Sequence, residues 1–192
     1  MILKEQPVNL IETESDYIEN LCFLDEYWEV IGTEHSRVNK ARNKHFELLN
    51  SFLKNKIGNG ISECALPCEY RPSGKRWDVN FPDKNIAIEY KSVTSKSIEK
   101  QKYMRIEEAL GCAVDVKEAN PNYKLGYIMV FAFTEENDRI IRSKNIILDA
   151  FDKMVKNGHY DFFCPLQTNG IGQHTEMMEE YSFDKFINGI LY

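Results

Sequence analysis

The segment from Arg76 to Lys91, RWDVNFPDKNIAIEYK, leaves little choice of local structure. Pro82-Asp83-Lys84-Asn85 is strong turn chemistry: proline presets φ, while Asp and Asn tolerate the special backbone positions of a tight turn. A four-residue loop there pairs Phe81 with Ile86, and counting outward pairs Val79 with Ile88 and Asp78 with Glu89. Side chains in strands alternate faces with period two. One face of this hairpin is then Trp77, Val79, Phe81, Ile86, Ile88 and Tyr90, wholly apolar and fit for a core. The other is Asp78, Asn80, Ala87, Glu89 and Lys91.

Opposed residues of a hairpin sit about 4.5–5.5 Å apart at Cβ, where two carboxylates repel unless a cation lies between them. A hard divalent ion suits such a pair. Mg2+ is held by one or two carboxylates, main-chain carbonyl and water, whereas softer metals want Cys or His. Lys91 adds a positive charge where an attacking hydroxide or a phosphorane would build up negative charge. The plain alternative is a solvated hairpin face with an incidental Asp-Glu-Lys cluster. Asp83 is excluded from the cluster, because it lies in the turn, at the far end of the hairpin from Glu89.

The rest of the chain supplies the layers for this hairpin. Residues 11–30 are acidic with recurring apolar positions, and predict one or two peripheral helices. From Glu34 to Ile57 the spacing of Phe46, Leu49, Phe52 and Leu53 predicts a helix ending at Gly58. Residues 58–76, punctuated by Gly and Pro, read as loop with a short strand at most. Residues 95–119 read as a helix with Ile98, Met104, Leu110, Ala113 and Val114 inward, stopped by Asn120-Pro121. Leu125–Phe133 is an uninterrupted apolar run, the mark of a buried strand, followed by a turn at Glu135–Asp138. Asn145–Lys156 predicts an amphipathic helix, Tyr160–Cys164 a strand ending at Pro165, and Phe183–Leu191 a short helix. The expected fold class is α/β, a central mixed β-sheet flanked by helices. One domain is expected over residues 1–192: an acidic helical periphery (1–36), a core (37–166) and a C-terminal extension (167–192).

The net charge of −6 over 192 residues would by itself argue against a phosphate-rich partner. Its distribution reverses that inference. Residues 1–36 carry −8 and residues 106–192 carry −6, while residues 37–105, which contain the hairpin, carry +8. No apolar run reaches the roughly 18–20 residues of a membrane span, and residues 1–16 lack the apolar stretch of a signal peptide, so a cytoplasmic protein with no membrane partner is expected. The five cysteines, an odd number, predict free thiols rather than a disulfide framework, and Cys64-x3-Cys68 lacks the second pair a zinc site needs. Neither Gly58-Asn59-Gly60 nor Gly170-Ile171-Gly172 is followed by the Lys-Ser/Thr of a phosphate-binding loop. The four histidines are scattered.

Together, Leu66-Pro67, Tyr70-Arg71-Pro72, Trp77-Asp78, Ile88-Glu89-Tyr90-Lys91-Ser92, Arg105-x-Glu107-Glu108-Ala109-x-Gly111 and Leu125-Gly126-Tyr127 resemble the XhoI-like type II restriction endonucleases, in order and approximate spacing, over roughly residues 40–165. The resemblance implies a PD-(D/E)xK restriction-endonuclease-like core, Mg2+-dependent cleavage of double-stranded DNA at a short palindrome, a homodimer with one active site per strand, and a cognate DNA methyltransferase in the same system. Carried over, Asp78 and Glu89 are metal ligands together with the Tyr90 carbonyl, Lys91 orients the attacking water, and Glu47 is placed like an assisting acid from an N-terminal helix. Of the adjacent Glu107 and Glu108, at most one is expected to face the site. Candidates for DNA contact are Arg71, Lys75, Arg76, Lys96, Lys100, Lys102 and Arg105. The segment between Lys91 and Arg105 departs from the family: it is lysine-rich where the relatives carry Gly and Asn. Two other readings are compatible with the residues: a repair or junction-resolving nuclease of the same fold, and a DNA-binding protein without catalysis.

Overall fold

The computed structural model describes residues 46–47, 49–51, 53–133, 136–168, 174–176 and 178–191. The expected helices within residues 11–45 and the glycine-containing loop at 169–173 lie outside them. Helical residues between 46 and 57 form α1. Three strands follow, β1 (Ile61–Leu66), β2 (Lys75–Phe81) and β3 (Ile86–Thr94), then α2 (Ile98–Ala119), β4 (Lys124–Ala132), α3 (Asp138–Lys156), β5 (Phe162–Thr168), β6 (His174–Glu176) and α4 (Phe183–Leu191). The strands form one mixed sheet in the order β1-β2-β3-β4-β5-β6. β3, β4 and β5 are parallel neighbours, and the other pairings are antiparallel. The α/β class with a helix-flanked mixed sheet is therefore as expected.

Two apolar layers follow from strand alternation. On one face Val79, Phe81, Ile86, Ile88, Tyr90, Ile128 and Val130 pack against α1 (Leu49, Leu53, Ile57) and α4 (Phe183, Phe186, Ile190). On the other, Ala87, Leu125, Tyr127, Met129, Phe131 and Phe163 lie under α2 and α3, the two crossover helices of the parallel strands. Gly126 admits the Phe186 ring of α4, which a Cβ there would meet at 3.1 Å.

Several boundaries differ from expectation, each for a physical reason. β1 is a full six-residue strand, hard to see in the sequence because it is an edge strand with only Leu66 buried. Its loop to β2 turns at Gly74 (φ 72°), where a Cβ would meet the Leu66 carbonyl oxygen at 2.4 Å. α3 starts at Asp138 rather than Asn145, because Asn137 caps it, its side chain accepting from Arg139 N and Ile140 N. β5 continues through Pro165, which pairs with Met129 of β4; among the described residues pairing with β6 begins one position later, at Leu166. A core ending at residue 166 thus cuts a strand, and α4, assigned to an extension, buries its apolar side in the main core. On α2, Met104 and Leu110 point outward, 49% and 37% exposed, and the inward positions are the smaller Ala109, Cys112, Ala113 and Val116.

Candidate active site

The β2–β3 ladder pairs Phe81 with Ile86, Asn80 with Ala87 and Val79 with Ile88, the register read from the turn. It then stops. Instead of a further backbone pair, Asp78 Oδ2 accepts the Tyr90 N–H at 2.7 Å. A residue's N–H and C=O point to the same side of an extended strand, so the Tyr90 carbonyl also opens toward Asp78. Opposite this point in β1, Glu63 between the paired Ser62 and Cys64 holds φ 52°. The distortion corrects the expected faces: Trp77 does not share a side with Val79 and Phe81 but packs in the layer under α2.

Glu89 and Lys91 point into that same layer. Glu89 is only 4% exposed. Its two oxygens each accept from Lys75 Nζ at 2.9 Å, and Oε1 also pairs with Lys91 Nζ. Lys91 Nζ lies 4.0 Å from Asp78 Oδ2. Two carboxylates and two ammonium groups thus meet where β2 and β3 part, with both ammoniums on Glu89. Burial, and next the charge of Glu89, push the Asp78 carboxyl up to about 6, against the pull of Lys91 and the Tyr90 N–H. Burial disfavours the charge on Lys91, but Glu89 and Asp78 outweigh it and raise its pKa above that of an ordinary lysine.

A narrow crevice runs from Lys75, Glu89 and Lys91 to Glu108 on α2, over Tyr127 and Tyr160. Tyr160 donates its hydroxyl hydrogen to the Ala109 carbonyl at 3.0 Å and meets Tyr127 edge-on at 5.4 Å. Trp77 Nε1 and Arg105 Nε are buried donors without a hydrogen-bond partner among the described residues. Both adjacent acids on α2 are exposed, but only Glu108 lines the crevice and adds to the field on Lys91.

Four of the cations expected to meet DNA have partners within the chain. Arg71 pairs with the buried Asp115, which also accepts the Tyr70 N–H at 2.7 Å, so the loop before β2 is fastened to α2. Lys75 is on Glu89. Lys102 donates to the Glu99 carbonyl at 2.8 Å, and Arg105 pairs with Glu108 at 3.0 Å. Arg76, Lys96 and Lys100 are exposed. Glu47 is exposed on α1, and no ion pair or hydrogen bond joins it to Asp78, Glu89 or Lys91; α1 reaches this region through Phe46, 5.5 Å from the Tyr90 ring, and Asn50, which accepts from the Tyr90 hydroxyl at 2.6 Å. Asp83 sits exposed in the 3-10 turn Pro82–Lys84, closed by Asn85 at φ 53°, as expected of a turn residue. The roles of Lys75, Trp77, Tyr127 and Tyr160 in building the site carry no signal in a period-two reading, since the break at Asp78 brings the first two to it.

Among the described residues no three His, Cys, Asp or Glu side chains gather as a metal cage. What Asp78, Glu89 and the Tyr90 carbonyl offer a cation is hard oxygen only. Such a set fits Mg2+, which keeps several waters and needs one or two carboxylates, and does not fit a thiolate-seeking metal. No family model, curated protein or solved structure matches this chain.

Proposed function

We propose that this chain is a Mg2+-dependent endodeoxyribonuclease of the type II restriction class, with a PD-(D/E)xK core. The observation that carries the reading is the convergence of Asp78, Glu89 and Lys91 where the hairpin ladder breaks. Asp78, Glu89 and the Tyr90 carbonyl would hold the metal, which when bound polarises a phosphate and lowers the pKa of a coordinated water. Lys91, kept charged by its two carboxylates, stabilises negative charge developing on the attacking oxygen and the phosphoryl group. The new P–O bond forms in line as the bond to the departing sugar oxygen breaks. Exposed Arg76 and Lys96 supply contacts to the DNA backbone. A homodimer acting at a short palindrome, protected by a cognate methyltransferase, completes the proposal on the strength of the family resemblance.

Digestion of a DNA of known sequence, with Mg2+ titrated and fragment ends mapped, tests this directly. Discrete fragments are expected; structure-dependent nicking would instead indicate a repair or junction enzyme with the same three residues. Asp78→Ala and Lys91→Ala should each lower cleavage on the order of 100-fold or more while DNA binding persists. Normal cutting by Asp78→Ala would overturn the assignment.

One observation favours a second reading. Glu89 already carries two ammonium partners, an arrangement that also suits a DNA-binding protein with a metal-free charge cluster. Absence of both Mg2+ binding by calorimetry and cleavage would select it.

A further inference from the structure

α2 is apolar on two sides. Its inward residues line the crevice and core, yet its outward side carries Tyr103 (59% exposed), Met104 (49%) and Leu110 (37%). Gly111 lies among them, and a Cβ built there would meet nothing within 4 Å. A glycine weakens a helix interior, and among the described residues no contact requires one at this position. Close approach of another backbone does. The same side has a charge polarity: Lys100 is exposed in the first turn and Glu107 and Glu118 further on, while the exposed Glu99 lies 100° round the helix from Lys100. Lys100 and Glu118 are eighteen residues apart, five full turns, so they share one azimuth about 27 Å apart along the axis. Buried Ala109 is midway between them and, at 100° per residue, on the opposite side of the helix.

We infer that the outer side of α2 is a self-association surface, on which a second copy of this chain packs antiparallel about a two-fold axis passing between Glu107 and Gly111. In that arrangement Lys100 of each copy meets Glu118 of the other, and the Tyr103–Met104 pair of each covers the far half of the partner's stripe. The axis runs through the glycine-containing middle, where the backbones come closest. A parallel pairing would set Lys100 against Lys100 and Glu118 against Glu118. An isologous contact of this kind closes at two copies. Tyr70, 69% exposed and beside Glu118, extends the apolar surface at the end of the helix.

This surface is where the homodimer of the proposed function forms, and the test is mass in solution by sedimentation, without DNA or Mg2+, so that failure of the interface is read separately from failure of cleavage. Wild-type protein is expected to be a dimer. Leu110→Glu and Gly111→Leu should give folded monomers, Gly111→Leu with undiminished thermal stability at dilution. Lys100→Glu and Glu118→Lys should each weaken the dimer about tenfold at low salt, because the axis repeats each contact, and the double variant should restore it. The two positions are too far apart to rescue one another within one chain, so restoration reports the antiparallel register. A wild-type monomer at the highest soluble concentration, a Leu110→Glu protein that remains dimeric, or a double variant no better than either single change would overturn the inference. If Leu110→Glu stays dimeric but loses DNA binding, the surface belongs to DNA instead.

Discussion

α2 and α3 lie side by side on one face of one sheet, yet they are built on opposite plans. α3 sorts its residues as an amphipathic helix should: Ile140, Ile147, Leu148, Phe151 and Met154 are buried, and apart from Ile141, 39% exposed, its exposed positions are polar or charged. In α2 the large apolar residues Tyr103, Met104 and Leu110 face out, and after Ile98 at its start the buried apolar positions are the smaller Ala109, Cys112, Ala113 and Val116. The reason is beneath it. Tyr127 and Tyr160 fill the space under Ala109 and Cys112, and the polar side chains of Glu89 and Lys91 come up beside Glu108. The half of the layer under α3 is a core, stacked as Phe151 on Phe163 at 4.7 Å and 8°. The half under α2 gives up apolar burial to hold charge.

If that contrast is sound, truncation separates the helices sharply. Phe151→Ala, removing a fully buried ring from α3, should cost about 3–5 kcal/mol in urea or thermal unfolding. Leu110→Ala on α2 should change stability by no more than about 0.5 kcal/mol, measured at protein concentrations low enough that association does not contribute. Comparable losses would show that the outer side of α2 is buried within the monomer.

The charged half has its own signature in pH. With Asp78 raised to about 6 in the folded protein and an ordinary carboxyl value in the unfolded chain, the folded state binds the extra proton. Its ionisation therefore works against folding above about pH 6, and the penalty vanishes below about pH 4, where both states are protonated. Asp78→Asn keeps an acceptor for the Tyr90 N–H and removes the charge. In metal-free buffer it should be more stable than wild type at pH 8 by about 1–2 kcal/mol, and no more stable at pH 4. A gain that persists at pH 4 would mean that the charge of Asp78 is not its source.

The same contrast explains what could be read from the chain. Beneath α3 the alternation and helical spacing are uninterrupted, so β4 and the body of α3 were visible; only the helix start was hidden, because Asn137 sits in a polar run that also reads as a turn. The hairpin register was legible as far as Val79–Ile88, since Pro82–Asn85 fixes it. Beyond Asp78 legibility ends. A break in one strand puts Trp77 on the unexpected face and draws Lys75 from a solvent role to Glu89, and a period-two count cannot register a break. Met104 and Leu110 break a related expectation, that an apolar residue on a helix faces inward in its own chain. Arg71, Lys102 and Arg105 were legible as charges but not as partners, because Asp115, the Glu99 carbonyl and Glu108 meet them only in three dimensions or across a helix turn.

The smallest expected difference lies at the two helix starts. Asn137 caps α3, its side-chain oxygen 3.0 Å from both Arg139 N and Ile140 N, and satisfies donors that the first turn of a helix leaves open. Ser97 occupies the equivalent place before α2, but its backbone is already helical and its side chain makes no cap bond forward. It turns back, accepting the Thr94 N–H at 3.0 Å, and so serves the end of β3 rather than the helix. Asn137→Ala should therefore cost about 1 kcal/mol in urea unfolding, with Asn137→Asp close to neutral because it preserves the acceptor. Ser97→Ala removes only partly exposed local bonds, in which Ser97 Oγ accepts from the Thr94 N–H and hydroxyl and donates to the Thr94 carbonyl, and should cost roughly half as much. Equal losses at the two positions would mean that α2 also depends on a side-chain cap, and that its departure from α3 is confined to the two sides of the helix and does not extend to how it begins.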